Sequence, residues 1–170
     1  MDWTKFQNYS ESNSKAFEAL CNQLFENWCK EEYKETIKSF QVINGAGGDG
    51  GVESFAVLND GHIIGMQAKW FRESLSSSQI NQIKNSIITA LKIRSQISRY
   101  IVCIPRDLAS KTNKGNDTEE KRWNNLLKDF KKNYPDLLIE LWPESRIDKE
   151  LQKDTSAGIT KFWFKNSEIS

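Results

Sequence analysis

Between residues 14 and 32, Phe17, Leu20, Cys21, Leu24, Phe25 and Trp28 recur at three- and four-residue spacing, which predicts a helix with one apolar stripe. Ser14, or Ser12 before it, is placed to cap its start. The period then changes. Residues 35–43 (ETIKSFQVI) and 51–58 (GVESFAVL) are rich in β-branched and aromatic residues and read as two strands. Asn59, Asp60 and Gly61 form a hairpin signal leading into a third strand at 62–70 (HIIGMQAKW), so the second and third strands are expected to pair antiparallel.

A serine-rich segment suited to capping precedes residues 79–97, where Ile80, Ile83, Ile87, Leu91 and Ile97 fall close to helical period. Residues 99–105 (RYIVCIP) read as a buried strand stopped by proline, and a helix between two strands favours a right-handed parallel crossover. The order to this point is α, β, β, β, α, β. After a polar loop at 106–120, residues 120–134 predict a helix stopped by Pro135, with Trp123, Leu126, Leu127 and Phe130 facing inward. Residues 137–142 (LLIELW) predict a fifth strand, 144–154 a short helix, and the aromatic run at 159–165 (ITKFWFK) a terminal strand. No repeat or low-complexity linker interrupts the 170 residues, so one α/β domain spanning 1–170 is expected.

Composition narrows the chemistry. With 24 Lys and Arg against 23 Asp and Glu, a polyanionic partner must be held by a local patch rather than by bulk charge. Cys21, Cys29 and Cys103 form no CxxC pair, and the single His62 cannot complete a zinc ligand set, so neither a disulfide framework nor a zinc site is expected. No apolar run reaches the length of a membrane span, and the polar start lacks a signal-peptide hydrophobic region, which points to a cytoplasmic protein with no membrane partner. Buried, reduced cysteines suit that compartment.

The candidate chemistry lies in GGDGGVESFAVLNDGHIIGMQAKW, residues 47–70. Alternation on the third strand puts Gln67 and Lys69 on one face. The second strand runs back beside it, so Glu53 near its start comes close to Lys69, and Asp49 precedes it in the glycine-rich loop. Acids, an amide and an amine at one sheet end suit metal-assisted phosphodiester hydrolysis. Oxygen ligands hold a hard cation such as magnesium, with manganese as an alternative, and a lysine orients or deprotonates the attacking water. The glycines permit positive φ and give a DNA backbone room to approach.

GAGGDGGVE, the hairpin and QAK, preceded by a helix containing FEALCNQLF, resemble the PD-(D/E)XK nuclease superfamily. The likeness is greatest to its Mrr-type restriction endonuclease branch and to the nuclease domains at the N-termini of bacterial anti-phage NTPases. It covers residues 17–105, with FWF near the C-terminus a weaker echo. The resemblance implies a restriction-endonuclease-like αβββαβ core and a magnesium-dependent DNA endonuclease serving restriction or anti-phage defence. It implies Glu53 as metal ligand, Gln67 in place of the usual acid of the third motif, Lys69 as catalytic lysine and Glu18 as support for the metal site. It further implies association or fusion with a sensor or NTPase, and homo-oligomerisation. Glu53 stands where many members carry aspartate, so either Glu53 reaches the metal or Asp49 shares the role. Gln67 removes one negative charge and should weaken metal affinity.

Several residues have plainer readings. Arg72, Arg106, Lys111 and Lys114 are candidate phosphate contacts, yet each is first an ordinary solvated charge, as are Lys128, Lys131 and Lys132. Trp70 and Phe71 suit core or rim packing, and His62 a surface turn. The alternative to an enzyme is a non-catalytic nucleic-acid-binding or interaction module of the same fold, motivated by Glu53 and Gln67. RNA in place of DNA is a third reading.

Overall fold

Ser12 accepts a hydrogen bond from the Lys15 amide at 3.1 Å and starts α1 (Asn13–Tyr33), so Ser14 lies inside the helix. A computed structural model of the chain describes residues 1–43, 50–110 and 117–165. Five strands follow one another across a single sheet in chain order: β1 (Ile37–Val42), β2 (Ser54–Leu58), β3 (Ile63–Ala68), β4 (Ile97–Cys103) and β5 (Leu138–Trp142). β1–β2 and β2–β3 are antiparallel, whereas β3–β4 and β4–β5 are parallel. The β2–β3 turn closes at Asn59, Asp60 and Gly61, where Gly61 takes φ +90°.

Each parallel pair needs a crossover, and helices supply both. α2 (Ser77–Ile93) connects β3 to β4, opened by a Ser76–Gln79 capping box, and α3 (Glu119–Asn133) connects β4 to β5. The architecture is therefore α/β, a mixed five-stranded sheet flanked by helices, consistent with the restriction-endonuclease-like αβββαβ core. β3 is buried at all six positions, as expected for a strand covered on both faces.

The two faces of β3 separate two apolar layers. Ile64, Met66 and Ala68 pack with Phe17, Leu20 and the rest of the α1 stripe. Ile63 packs with Ile83, Ile87 and Leu126 from α2 and α3. Full burial of side chains of this size contributes about 1.5–3 kcal/mol each, so the α1 stripe fixes the helix against the sheet. Cys21, Cys29 and Cys103 are free thiols buried in the first layer. Among the described residues no helix is long and apolar enough to cross a membrane.

Residues 159–165 do not form the expected terminal strand. After α4 (Glu144–Leu151) the chain forms α5 (Ala157–Trp163). Strand alternation would put Lys161 on the same face as Ile159 and Trp163. Helical spacing instead brings Ile159 and Trp163 together against the α1 layer, while Lys161 stays exposed. The packing partners come partly from the N-terminal segment, which reads as polar in sequence. Trp3 is 5% exposed and lies 5.2 Å from Phe164, and Phe6 stacks on Trp70 at 5.6 Å, ring centroid to centroid. Trp70 is thus a packing residue.

Candidate active site

The chain enters β2 through a turn in which Gly50 and Gly51 take φ +70° and +76°. A Cβ on Gly51 would stand 2.0 Å from the Ser86 carbonyl oxygen and 2.8 Å from the Ala90 nitrogen, so the turn lies directly on the backbone of α2. Where the sequence suggests room for a DNA backbone, Gly51 makes room for a helix. Just beyond, Glu53 N donates to the Met66 carbonyl at 2.8 Å, and Glu53 Oε2 accepts from Ala68 N at 2.6 Å. The carboxylate is thereby fastened to the C-terminal end of β3.

Gln67, 1% exposed, points into the α2 layer. Its Nε2 donates to the Tyr100 hydroxyl at 2.7 Å and to the Ile83 carbonyl at 3.3 Å, and Tyr100 in turn donates to the Gly51 carbonyl. Because the Ile83 carbonyl can only accept, the amide is oriented nitrogen-first toward it. Gln67 Oε1 is left buried with no donor among the described residues. Burial first, and then the negative charge of Glu53, push the Tyr100 phenol well above its ordinary range, which keeps the hydroxyl a donor.

Tyr100 was not legible as a site residue, since it sits in an apolar strand run. Tyr100→Phe is expected to cost about 1–3 kcal/mol by orphaning buried polar groups, read as a lower denaturation midpoint with an unchanged slope. A folded-state pKa above the unfolded value contributes stability that is complete below the unfolded pKa and is lost as pH rises toward the folded one. Wild-type stability should therefore fall above about pH 10, and the phenylalanine variant should lack that part of the loss.

Glu53 and Lys69 line one open cleft of about 1090 Å³, walled by α1, α2 and the N- and C-terminal segments. Glu18 and Asn22 face it from α1, and Ser86 from α2. Burial first, then the neighbouring Cys103 thiol, and lastly the charges of Glu53 and Glu18 raise the pKa of the Cys21 thiol of α1. Asn22 Oδ1 is a second buried acceptor with no partner among the described residues, and nothing in the helical stripe distinguishes it in advance.

The remaining sequence candidates do not join this group. Arg72 is exposed and donates to the Pro105 carbonyl at 2.8 Å. Arg106 pairs at 2.6 Å with Glu119, a buried carboxylate that also accepts from the Leu75 and Ala109 amides. Its guanidinium is committed to holding the start of α3. Neither arginine lines the cleft. Asp49, Lys111 and Lys114 lie outside the described residues. His62 is an exposed turn residue 2.9 Å from Asp60.

Among the described residues no group of three or more His, Cys, Asp or Glu side chains is arranged to hold a metal ion. The Glu53 carboxylate is the oxygen donor that faces the cleft with Lys69, whereas Gln67, next in the chain to the Ala68 amide that holds Glu53, keeps its unsatisfied amide oxygen in the α2 layer and does not line the cleft. Carboxylate oxygens from Glu53 and Glu18 lining an open cleft fit a hard cation that keeps several waters, as magnesium does, and do not fit a zinc-type centre.

No protein-family model matches the chain, and no curated protein matches it. Among solved structures it is similar to the crystal structure of a repair endonuclease from Pyrococcus abyssi, with 20% sequence identity and a TM-score of 0.38. The match covers 79% of this chain and 47% of that one, so this chain spans about half the length of its neighbour. At that identity and superposition, neither reaction nor residues transfer from the neighbour to this chain.

Proposed function

We propose that this chain is a divalent-metal-dependent DNA endonuclease domain that hydrolyses phosphodiester bonds, with duplex DNA as bulk substrate, in restriction or anti-phage defence. One observation carries the reading: the Glu53 carboxylate, fastened to the end of β3 at the Ala68 amide, shares an open cleft with Lys69, and Gln67, the residue before Ala68, keeps a buried amide oxygen with no donor among the described residues. Glu53 and Gln67 would hold magnesium or manganese, supported by Glu18 from α1. Bound there, the cation acidifies a water and offsets charge building on the phosphate oxygens.

The chain's own groups do the positioning. The Ala68 amide fixes the Glu53 carboxylate, and Tyr100 holds Gln67 by its nitrogen so that the oxygen remains an acceptor. The Lys69 ammonium, three donors on a flexible stem, stabilises the phosphate oxygens and orients the attacking water. Association with a sensor or NTPase, and activation by self-assembly, are part of this proposal.

The test is conversion of supercoiled plasmid with magnesium, against EDTA and against Lys69→Ala. Wild type should nick, and the variant should be slower by about 100-fold or more. Equal nicking by both removes the assignment. One competitor, motivated by Glu53 and the neutral Gln67, is a binding module of the same fold that has lost turnover. Calorimetry separates the two: no heat with magnesium or manganese, together with salt-sensitive DNA binding, selects the module.

A further inference from the structure

The cleft that holds Glu53 and Lys69 has an aromatic rim that hydrolysis does not use. Tyr9 and Phe162 both line it, stacked at 4.5 Å between centroids with 30° between planes, yet 41% and 49% exposed. Trp163, buried behind them, meets Phe162 edge-on at 4.8 Å. Large apolar rings with this much surface in water are only partly used by the core, where Tyr9 and Phe162 meet Trp163 edge-on at 6.0 and 4.8 Å. A cation stands with them too, the Lys165 ammonium lying 5.2 Å from the Tyr9 ring centroid.

The backbone points the same way. Tyr9 and Ser10 occupy the left-handed region, with φ +50° and +71°, which residues bearing a Cβ adopt only at a free-energy cost. The Tyr9 hydroxyl donates to the Phe162 carbonyl and ties the strained turn to α5. The stack of Tyr9 on Phe162 and this hydrogen bond place an exposed ring in the cleft of the proposed phosphodiester site, where a π-surface next to a cation is the arrangement that receives a nucleobase and its phosphate.

We propose that the Tyr9–Phe162 pair is a stacking platform for an unpaired nucleobase flanking the scissile phosphate, so that the site selects DNA with a single-stranded portion, such as an overhang or a flap, over fully paired duplex. A paired base has both faces covered by its neighbours in the stack, whereas an unpaired one can lay a face on the platform. This inference rests on the nuclease reading of the same cleft and refines its substrate.

The experiment measures anisotropy of a labelled duplex with a single-stranded overhang and of its blunt counterpart, in EDTA so that cleavage does not intervene. 2-Aminopurine in the overhang reports stacking. Wild type should bind the overhang substrate more tightly and quench the 2-aminopurine. Phe162→Ala and Tyr9→Ala should each weaken that binding about 10-fold, the size of one lost base–aromatic stack, and relieve the quench, with blunt-duplex binding unchanged. Tyr9→Phe, which keeps the ring, should retain affinity. Phe162→Leu, which keeps apolar volume without a π-face, should behave as the alanine variant and guards against a folding defect.

Equal wild-type affinity for the two substrates, or unchanged binding and quench in the alanine variants, overturns the platform. If plasmid cleavage still depends on Lys69, the nuclease reading survives that result. A wild-type protein that binds neither substrate overturns the platform, and plasmid nicking that is equal in wild type and Lys69→Ala overturns the nuclease reading.

Discussion

Glu53→Gln should reduce magnesium-dependent DNA cleavage by at least about 100-fold while leaving the protein folded. The substitution is close to isosteric, and a glutamine oxygen can still accept from the Ala68 amide that now holds Glu53 Oε2 at 2.6 Å. What it removes is charge. Gln67 is already neutral and buried, so Glu53 supplies the negative charge of the proposed pair, and a site built from two amides holds a hard cation poorly. Plasmid nicking read across a magnesium titration, beside a thermal melt, separates loss of metal from loss of fold. An unaltered rate at every magnesium concentration would mean that Glu53 is only a structural cap on β3.

Gly51→Ala should have the largest effect on stability. At φ +76° a Cβ costs about 1–2 kcal/mol from backbone strain alone. The added atom would also stand 2.0 Å from the Ser86 carbonyl oxygen, which is part of the α2 backbone and cannot rotate away. Forcing the turn off the helix adds a packing cost of about 1–3 kcal/mol, for a total of about 2–5 kcal/mol. The damage reaches the site as well, since the Gly51 carbonyl receives the Tyr100 hydroxyl and Tyr100 orients Gln67. Chemical denaturation should show the lower midpoint, and surviving folded protein should cleave more slowly than wild type. Alanine tolerated at wild-type stability would contradict the packing of this turn on α2.

Periodicity made most of the fold legible. The α1 stripe, the Asn59–Gly61 hairpin and the apolar helix between two strands are local patterns with one physical solution each, and they carry the order of the sheet. Residues 159–165 misled because β-branched and aromatic content measures fit to a half-buried surface, which a helix end can also present. The decision lay in Trp3 and Phe6, whose packing on Phe164 is non-local, with Trp70 stacked on Phe6. In the site, Glu53 and Lys69 were legible because hairpin register is short-range, and they share the cleft. Tyr100, Asn22 and the reason for Gly51 were not. Tyr100 and Gly51 act through contacts with elements distant in sequence, and Asn22 is in one dimension an ordinary polar helix position.

The proposed seat for a divalent cation is Glu53 together with Gln67, beside Lys69. Anomalous diffraction from crystals soaked in manganese tests it most directly. A peak within about 2.0–2.6 Å of a Glu53 carboxylate oxygen and of Gln67 Oε1 is the predicted result. A cleft with no peak at saturating manganese, or Gln67 Oε1 turned away from the bound ion, would contradict it.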